Sequence, residues 1–187
     1  MFSRTISVLC AIVFSVPSWG CGTERWDVKT LTDPNRNLIN RNAVNTTIAQ
    51  LIQGPAPVLH RNTPRIPNSP ETSMLVVKAI LLGYHAESDE DFHLVIADPQ
   101  NPQITMIAEI PSPNCVQGQQ FQAMVTQFRN QLIAKFGAPG RKTRRLRTPA
   151  PILLRGVGFF DLKHPTPQDG VAPNGIELHP ILGMSLQ

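Results

Sequence analysis

The sequence predicts a mainly β domain with one helix: an OB-like five-stranded small barrel behind an N-terminal arm. An open α+β sheet with one helix is the alternative. Three observations lead there. Apolar segments follow in the order strand, strand, strand, helix, strand, strand, which is the order of the OB-fold. Proline is abundant, 18 in 187 residues, about twice the usual ~5% share, and disfavours a helical bundle. Hydrophobic residues make up 41% and charged residues 16%. That composition supports a packed core and excludes a disordered or acidic-tail protein.

Residues 1–20 have the layout of an export signal. Arg4 supplies the positive start, and Ile6, Val8, Leu9, Ala11, Ile12, Val13, Phe14 and Val16 the apolar run. Pro17 breaks the run, and Ser18 and Gly20 are small residues before a cut at Cys21. The run is short for a bilayer span, and no later segment approaches the roughly 18 apolar residues a span needs, so no transmembrane segment is expected in the mature chain. A secreted or periplasmic protein follows. Lipid anchoring through Cys21 is the lesser alternative, because Ser18 stands where lipoprotein signals favour an aliphatic residue. With Cys10 removed, Cys21 and Cys115 remain. In an oxidising compartment they pair most simply with each other.

Residues 21–73 are expected to form an arm. Asn45 is a candidate cap for a short helix from Thr46 to Gln53, stopped by Gly54. Prolines 55, 57, 64, 67 and 70 prevent regular structure beyond it and make a wrapping linker. The domain proper spans 74–187. Its strands are expected at Met74–Tyr84, Phe92–Ala97, Ile104–Ile110, Ile152–Phe160 and Ile176–Leu182. Phe121, Met124, Val125, Phe128, Leu132 and Phe136 recur at helical spacing, and Gly137 and Pro139 end that helix. Gly156 and Gly158 fit the sharp bends a small barrel needs.

The stretches ERWDVKTLTDP (24–34), ESDEDFHLVIAD (87–98), IAEIP (107–111) and GVGFFD…H…GVAPNGIELHP (156–180) resemble a family of uncharacterised exported bacterial proteins. The resemblance covers most of the mature chain and implies export and a bacterial origin, with no reaction attached. At the level of fold alone, the element order also resembles secreted nucleases of the OB type.

Strand alternation sorts the polar residues, because side chains two apart share a face. Asp91 and His93, then Glu109, then Glu177 and His179 fall on one face of three neighbouring strands if the barrel forms. Two imidazoles among carboxylates suit a divalent metal such as zinc or manganese, so His93, Glu109, Glu177 and His179 are the metal candidates. A metal there would activate water for ester or phosphodiester hydrolysis. Without one, a His–Glu pair can serve as base and orienting group. Candidate catalytic residues are His93, Glu109, Asp161 and His164. The plain alternative is a set of polar residues on the solvent side of half-exposed strands.

Two loops border that face. Tyr84–Asp91 is acidic and carries His85. Asp161–Gly175 is long for a compact domain and contains Asp161, Lys163, His164 and Asp169. The basic run Arg141, Lys142, Arg144, Arg145, Arg147 and the net charge of +4 would attract phosphate backbones. Stacking platforms are scarce, though, with one Tyr and two Trp. Nucleic acid is therefore a weaker partner than an unknown ligand or an envelope partner. No Walker loop, dinucleotide glycine fingerprint, HExxH, CxxC or GxSxG is present, which argues against an NTPase, a dehydrogenase or an ordinary serine hydrolase. Three functions remain: an exported ligand-binding module, a metal-dependent hydrolase (phosphodiesterase or nuclease), and a structural envelope protein docking through its arm.

Overall fold

The computed structural model describes residues 20–163 and 168–187. The export signal expected at 1–20 lies, apart from Gly20, outside the described residues, and so does His164. Six strands form one sheet: β1 (Asn40–Thr46), β2 (Ser73–Ala86), β3 (Phe92–Ala97), β4 (Thr105–Ile110), β5 (Arg144–Phe160) and β6 (Ile176–Leu186). The order is β1-β2-β3-β4-β6-β5, and β2 pairs with β5 as well. Strands β2 to β6 thus close into a ring, with β1 attached outside it. Within the ring only β4 and β6 run parallel, and the other neighbours are antiparallel. This is the mainly β, one-helix architecture expected, with a closed ring rather than an open sheet.

The ring interior is the core. Leu94 and Ile96 from β3, Met106, Ala108 and Ile110 from β4, Leu154 from β5, and Ile176, Leu178 and Ile181 from β6 are all fully buried there. One helix of length, α3 (Gln119–Phe136), covers one end; α1 (Trp26–Lys29) and α2 (Ile48–Leu51) are single turns. From α3, Val125, Phe128 and Leu132 are buried, and Phe121, Met124 and Phe136 pack against the core. These are the residues whose spacing marks the helix in the sequence. The Tyr84 hydroxyl donates to the carbonyl oxygens of Leu132 and Gly137, so it ties the helix end to β2. Gly137 ends α3 at φ 90°, a conformation that favours glycine.

Two close approaches explain glycines within β5. A Cβ on Gly156 would come within 2.7 Å of the Pro180 carbonyl oxygen, and one on Gly158 within 2.5 Å of the Pro70 carbonyl oxygen. Both sit where the β5–β6 register shifts, so they serve the bend and also let the arm approach.

Several local expectations are corrected. The cap of α2 is Thr47, not Asn45: its hydroxyl accepts from Gln50 N, and the Gln50 side chain accepts from Thr47 N. A capping box satisfies two free donors at once, whereas Asn45 is committed to pairing β1 with β2. Strand β1 itself, in the arm, lacks the apolar alternation that would announce a strand, and its residues are largely exposed. Strand β5 begins at Arg144, so Arg144, Arg145 and Arg147 belong to a strand and not to a connecting loop.

The arm is fastened to the body by buried charge pairs and a disulfide. Both Arg25 guanidinium amines bond Glu71, at 2.7 Å each, and Nη1 also donates to the Phe160 carbonyl. Glu71 accepts in addition from the backbone N–H of Ile66 and Phe160. Arg65 bonds Asp33 and the carbonyls of Val28 and Glu71. Such pairs are tolerated in a low dielectric because every donor has a partner. Cys21 and Cys115 form the expected disulfide across 94 residues of sequence.

Candidate functional site

Pairing across the sheet builds a polar row perpendicular to the strands. His85 on β2 lies directly opposite His93 on β3, and His93 lies opposite Glu109 on β4. Ile107 is level with Glu177 on β6, which brings His179 beside Glu109. The neighbouring inward residues Leu94, Ala108 and Leu178 go to the core. Period-two alternation therefore forces the polar set onto the ring's other side.

That side is not an open surface. Asp91 and His179 are 0% exposed, His93 2%, Glu177 4% and Glu109 5%. Alternation alone implies a solvent-facing surface; the arm overturns this by lying across it. Lys29 from α1 places Nζ 3.8 Å from Glu109 Oε2 and 3.8 Å from Asp161 Oδ1. Arg25 and Lys29 both stand over the Phe159 ring, whose centroid is 4.9 Å from Arg25 Cζ and 5.3 Å from Lys29 Nζ.

The structure brings together His93, Glu109, Glu177, His179 and, from the long loop, Asp161. It adds four residues that the metal and catalytic candidates omit: Lys29, His85, Glu87 and Asp91. His85 extends β2 beyond Tyr84, so it belongs to the strand ladder and not to the acidic turn. Lys29 has no sequence signal, because its partners lie 80 or more residues away. Lys163 is exposed, and Asp169 pairs with Arg145 away from the cluster.

The contacts are close and unevenly satisfied. His93 Nδ1 is 3.1 Å from Glu109 Oε1 and 3.2 Å from Glu87 Oε1. His85 Nε2 is 2.9 Å from Glu87 Oε1, and His85 Nδ1 is 3.2 Å from Thr143 Oγ1. His179 Nδ1 is 2.8 Å from Glu109 Oε2, but at an angle that makes no hydrogen bond. Among the described residues, both ring nitrogens of His179 lack a hydrogen-bond partner, as do Asp91 Oδ2, His93 Nε2 and Glu177 Oε2.

Proton affinities follow from these surroundings. Burial opposes charge on His93, but Glu109 and Glu87 outweigh it and push the imidazole up to about 10. His85 and then His93 hold Glu87 down at about 2. Burial opposes ionisation of Glu109, yet Lys29, His179 and His93 keep it well below the usual carboxylate range. Burial also opposes charge on Lys29, and the surrounding carboxylates, Glu109 first, overcome it and hold the ammonium charged. Burial raises Glu177, reinforced by Asp161 and Glu109, and raises Asp91, reinforced by Glu109 and Asp89. Burial lowers His179, which favours the neutral ring.

A cleft of about 500 Å³ opens onto this cluster. Lys29, Glu87, Glu109 and Asp161 line its floor, and Trp26 and Cys21 of the arm form part of its wall. Among the described residues, two groups of donor atoms lie within 4.8 Å of one another: His85, Glu87 and His93, and Asp91, Glu109 and His179. Glu177 belongs to neither. No helix among the described residues is long and apolar enough to cross a membrane. Comparison with known protein families, with curated proteins and with solved structures finds no match to this chain.

Proposed function

We propose that the protein is an exported OB-type module that binds a small polar ligand in the cleft between the arm and the polar row. One observation carries this reading. The row is almost wholly buried, yet polar atoms of Asp91, His93, Glu177 and His179 have no hydrogen-bond partner among the described residues. Each such atom costs about 1–3 kcal/mol. Perturbed, incompletely satisfied ionisable groups beside a cleft are typical of functional sites. The ring order β2-β3-β4-β6-β5 and the helix between β4 and β5 support the OB-type assignment. Export is supported by the signal pattern of residues 1–20 and by the disulfide. Because the Cys21 sulfur is bonded to Cys115, it is not available for a lipid thioether.

The lining sets the ligand class. Glu24, Glu87, Asp89, Glu109 and Asp161 line the cleft together with Lys29, and Trp26 offers a ring. A cationic or hydroxyl-rich small molecule fits this charge balance better than a phosphate backbone. The test is a thermal-shift screen of the oxidised protein against amines, amino sugars and neutral saccharides. A saturable rise in melting temperature that disappears in Asp161→Asn supports the reading. No rise with any class, or an equal rise in the variant, overturns it.

A second reading, a metal-dependent hydrolase, is favoured by the two compact donor groups. A dication held there would supply an activated water for hydrolysis.

A further inference from the structure

We propose that His85, Glu87 and His93 form a zinc-class divalent metal site at the edge of the cleft. It differs from the set the strand pattern suggests. Glu109 Oε2 faces the Lys29 ammonium and His179 at once, and Glu177 belongs to neither donor group. The Asp91, Glu109 and His179 group is also more deeply buried, with side chains 0%, 6% and 0% exposed. The His85, Glu87 and His93 group has an approach path, because the His85 and Glu87 side chains are 12% and 28% exposed and Glu87 lines the cleft.

The geometry suits tetrahedral nitrogen and oxygen ligation. Bonds of about 2.0–2.2 Å to zinc place donors roughly 3.3–3.5 Å apart. Here Glu87 Oε1 lies 2.9 Å from His85 Nε2 and 3.2 Å from His93 Nδ1. The ligands are also preset. His85 and His93 are directly opposed on adjacent strands, with ring centroids 4.5 Å apart. Glu87 follows His85 by two residues. The hydrogen bond between Thr143 Oγ1 and His85 Nδ1 leaves Nε2 facing Glu87, the outer-sphere support that metal-bound histidines commonly have. Glu109 Oε1 lies 3.1 Å from His93 Nδ1 but stands outside this donor group. Imidazole with carboxylate selects zinc or a neighbouring transition dication over calcium or magnesium.

The site would serve the hydrolase reading, but it stands whether the cleft turns over its ligand or only binds it. The test therefore uses metal alone. Zinc is titrated into the full oxidised protein in competition with a chromogenic chelator, and cobalt is added separately for its absorption spectrum. One ion per chain is expected, with a tetrahedral cobalt spectrum. His85→Ala should weaken zinc at least about 100-fold, and Thr143→Val about 10-fold. His179→Gln, in the more deeply buried group, should stay within about 3-fold of wild type. Glu87→Gln repeats the test should His85→Ala not fold. Absence of binding by the wild type overturns the proposal, and so does loss of binding in His179→Gln with retention in His85→Ala. Since no cleft ligand is present, failure here leaves the binding reading intact, and failure of the ligand screen leaves this one intact.

Discussion

Lys29 Nζ stands 3.8 Å from Glu109 Oε2, joining the N-terminal arm to the centre of the polar row. The two residues come from α1 and β4, 80 positions apart, and both are almost fully buried. The ammonium is the arm's charge set against Glu109, Asp161 and the nearby Glu177. Removing one partner of a buried pair leaves the other charge uncompensated. Lys29→Met should therefore destabilise the protein by about 3 kcal/mol at neutral pH. The loss should shrink as the solution is acidified and the carboxylates protonate. Urea unfolding at two pH values checks both points.

The same logic applies to the fastening of the arm. Glu71 accepts four hydrogen bonds, two from Arg25 and one each from the N–H of Ile66 and Phe160. Glu71→Ala strands an arginine inside the protein and should cost about 3–5 kcal/mol. Proteolysis should then cut within residues 55–70 faster than in the wild type.

The Cys21–Cys115 bond closes a loop of 94 residues. Reducing it, or the double substitution Cys21→Ser with Cys115→Ser, should lower stability by about 2–4 kcal/mol. The bond also fixes the cleft wall that contains Cys21. Ligand affinity should therefore fall by more than the change in folded fraction explains, which a binding titration below the unfolding midpoint measures.

Stability of the metal-free protein should fall as pH rises above neutral. The folded pKa of His93 is raised from 6.5 to about 10 by Glu109 and Glu87 against burial. Its contribution is full below 6.5 and is lost as pH rises toward 10. Glu177 acts in the same direction. Its folded pKa is raised by burial, Asp161 and Glu109, so ionising it inside the protein costs stability as pH climbs. One proton bound more tightly in the folded state gives a slope of up to about 1.4 kcal/mol per pH unit. Chemical unfolding from pH 6.5 to 10 in the presence of chelator should show the decline, and His93→Gln should flatten it.

The parts legible in the sequence are those with local periodicity. The faces of β3, β4 and β6 follow from alternation, and the helix follows from Phe121 to Phe136. The disulfide follows from the two cysteines that remain if the chain is exported as its sequence predicts. What covers the polar face is another matter. Arg25, Lys29 and Arg65 read as ordinary charged residues of a proline-rich arm, and their burial depends on Glu71, Glu109 and Asp33 far along the chain. Strand β1, Asn-Arg-Asn-Ala-Val-Asn-Thr, has no apolar stripe, because it adds to the sheet edge by backbone hydrogen bonds alone. His85 falls past the apolar run of β2, so only the pairing with His93 reveals its place.

On this reading His179, at the heart of the buried polar row, is kept for binding chemistry and not for folding. Equilibrium unfolding of metal-free His179→Leu tests it most directly. Both His179 ring nitrogens are buried without hydrogen-bond partners among the described residues, and the ring lies 5.6 Å from that of Phe159. An apolar side chain of similar bulk should leave stability unchanged or higher. A loss above about 2 kcal/mol would show that His179 holds the fold together, and would contradict the claim.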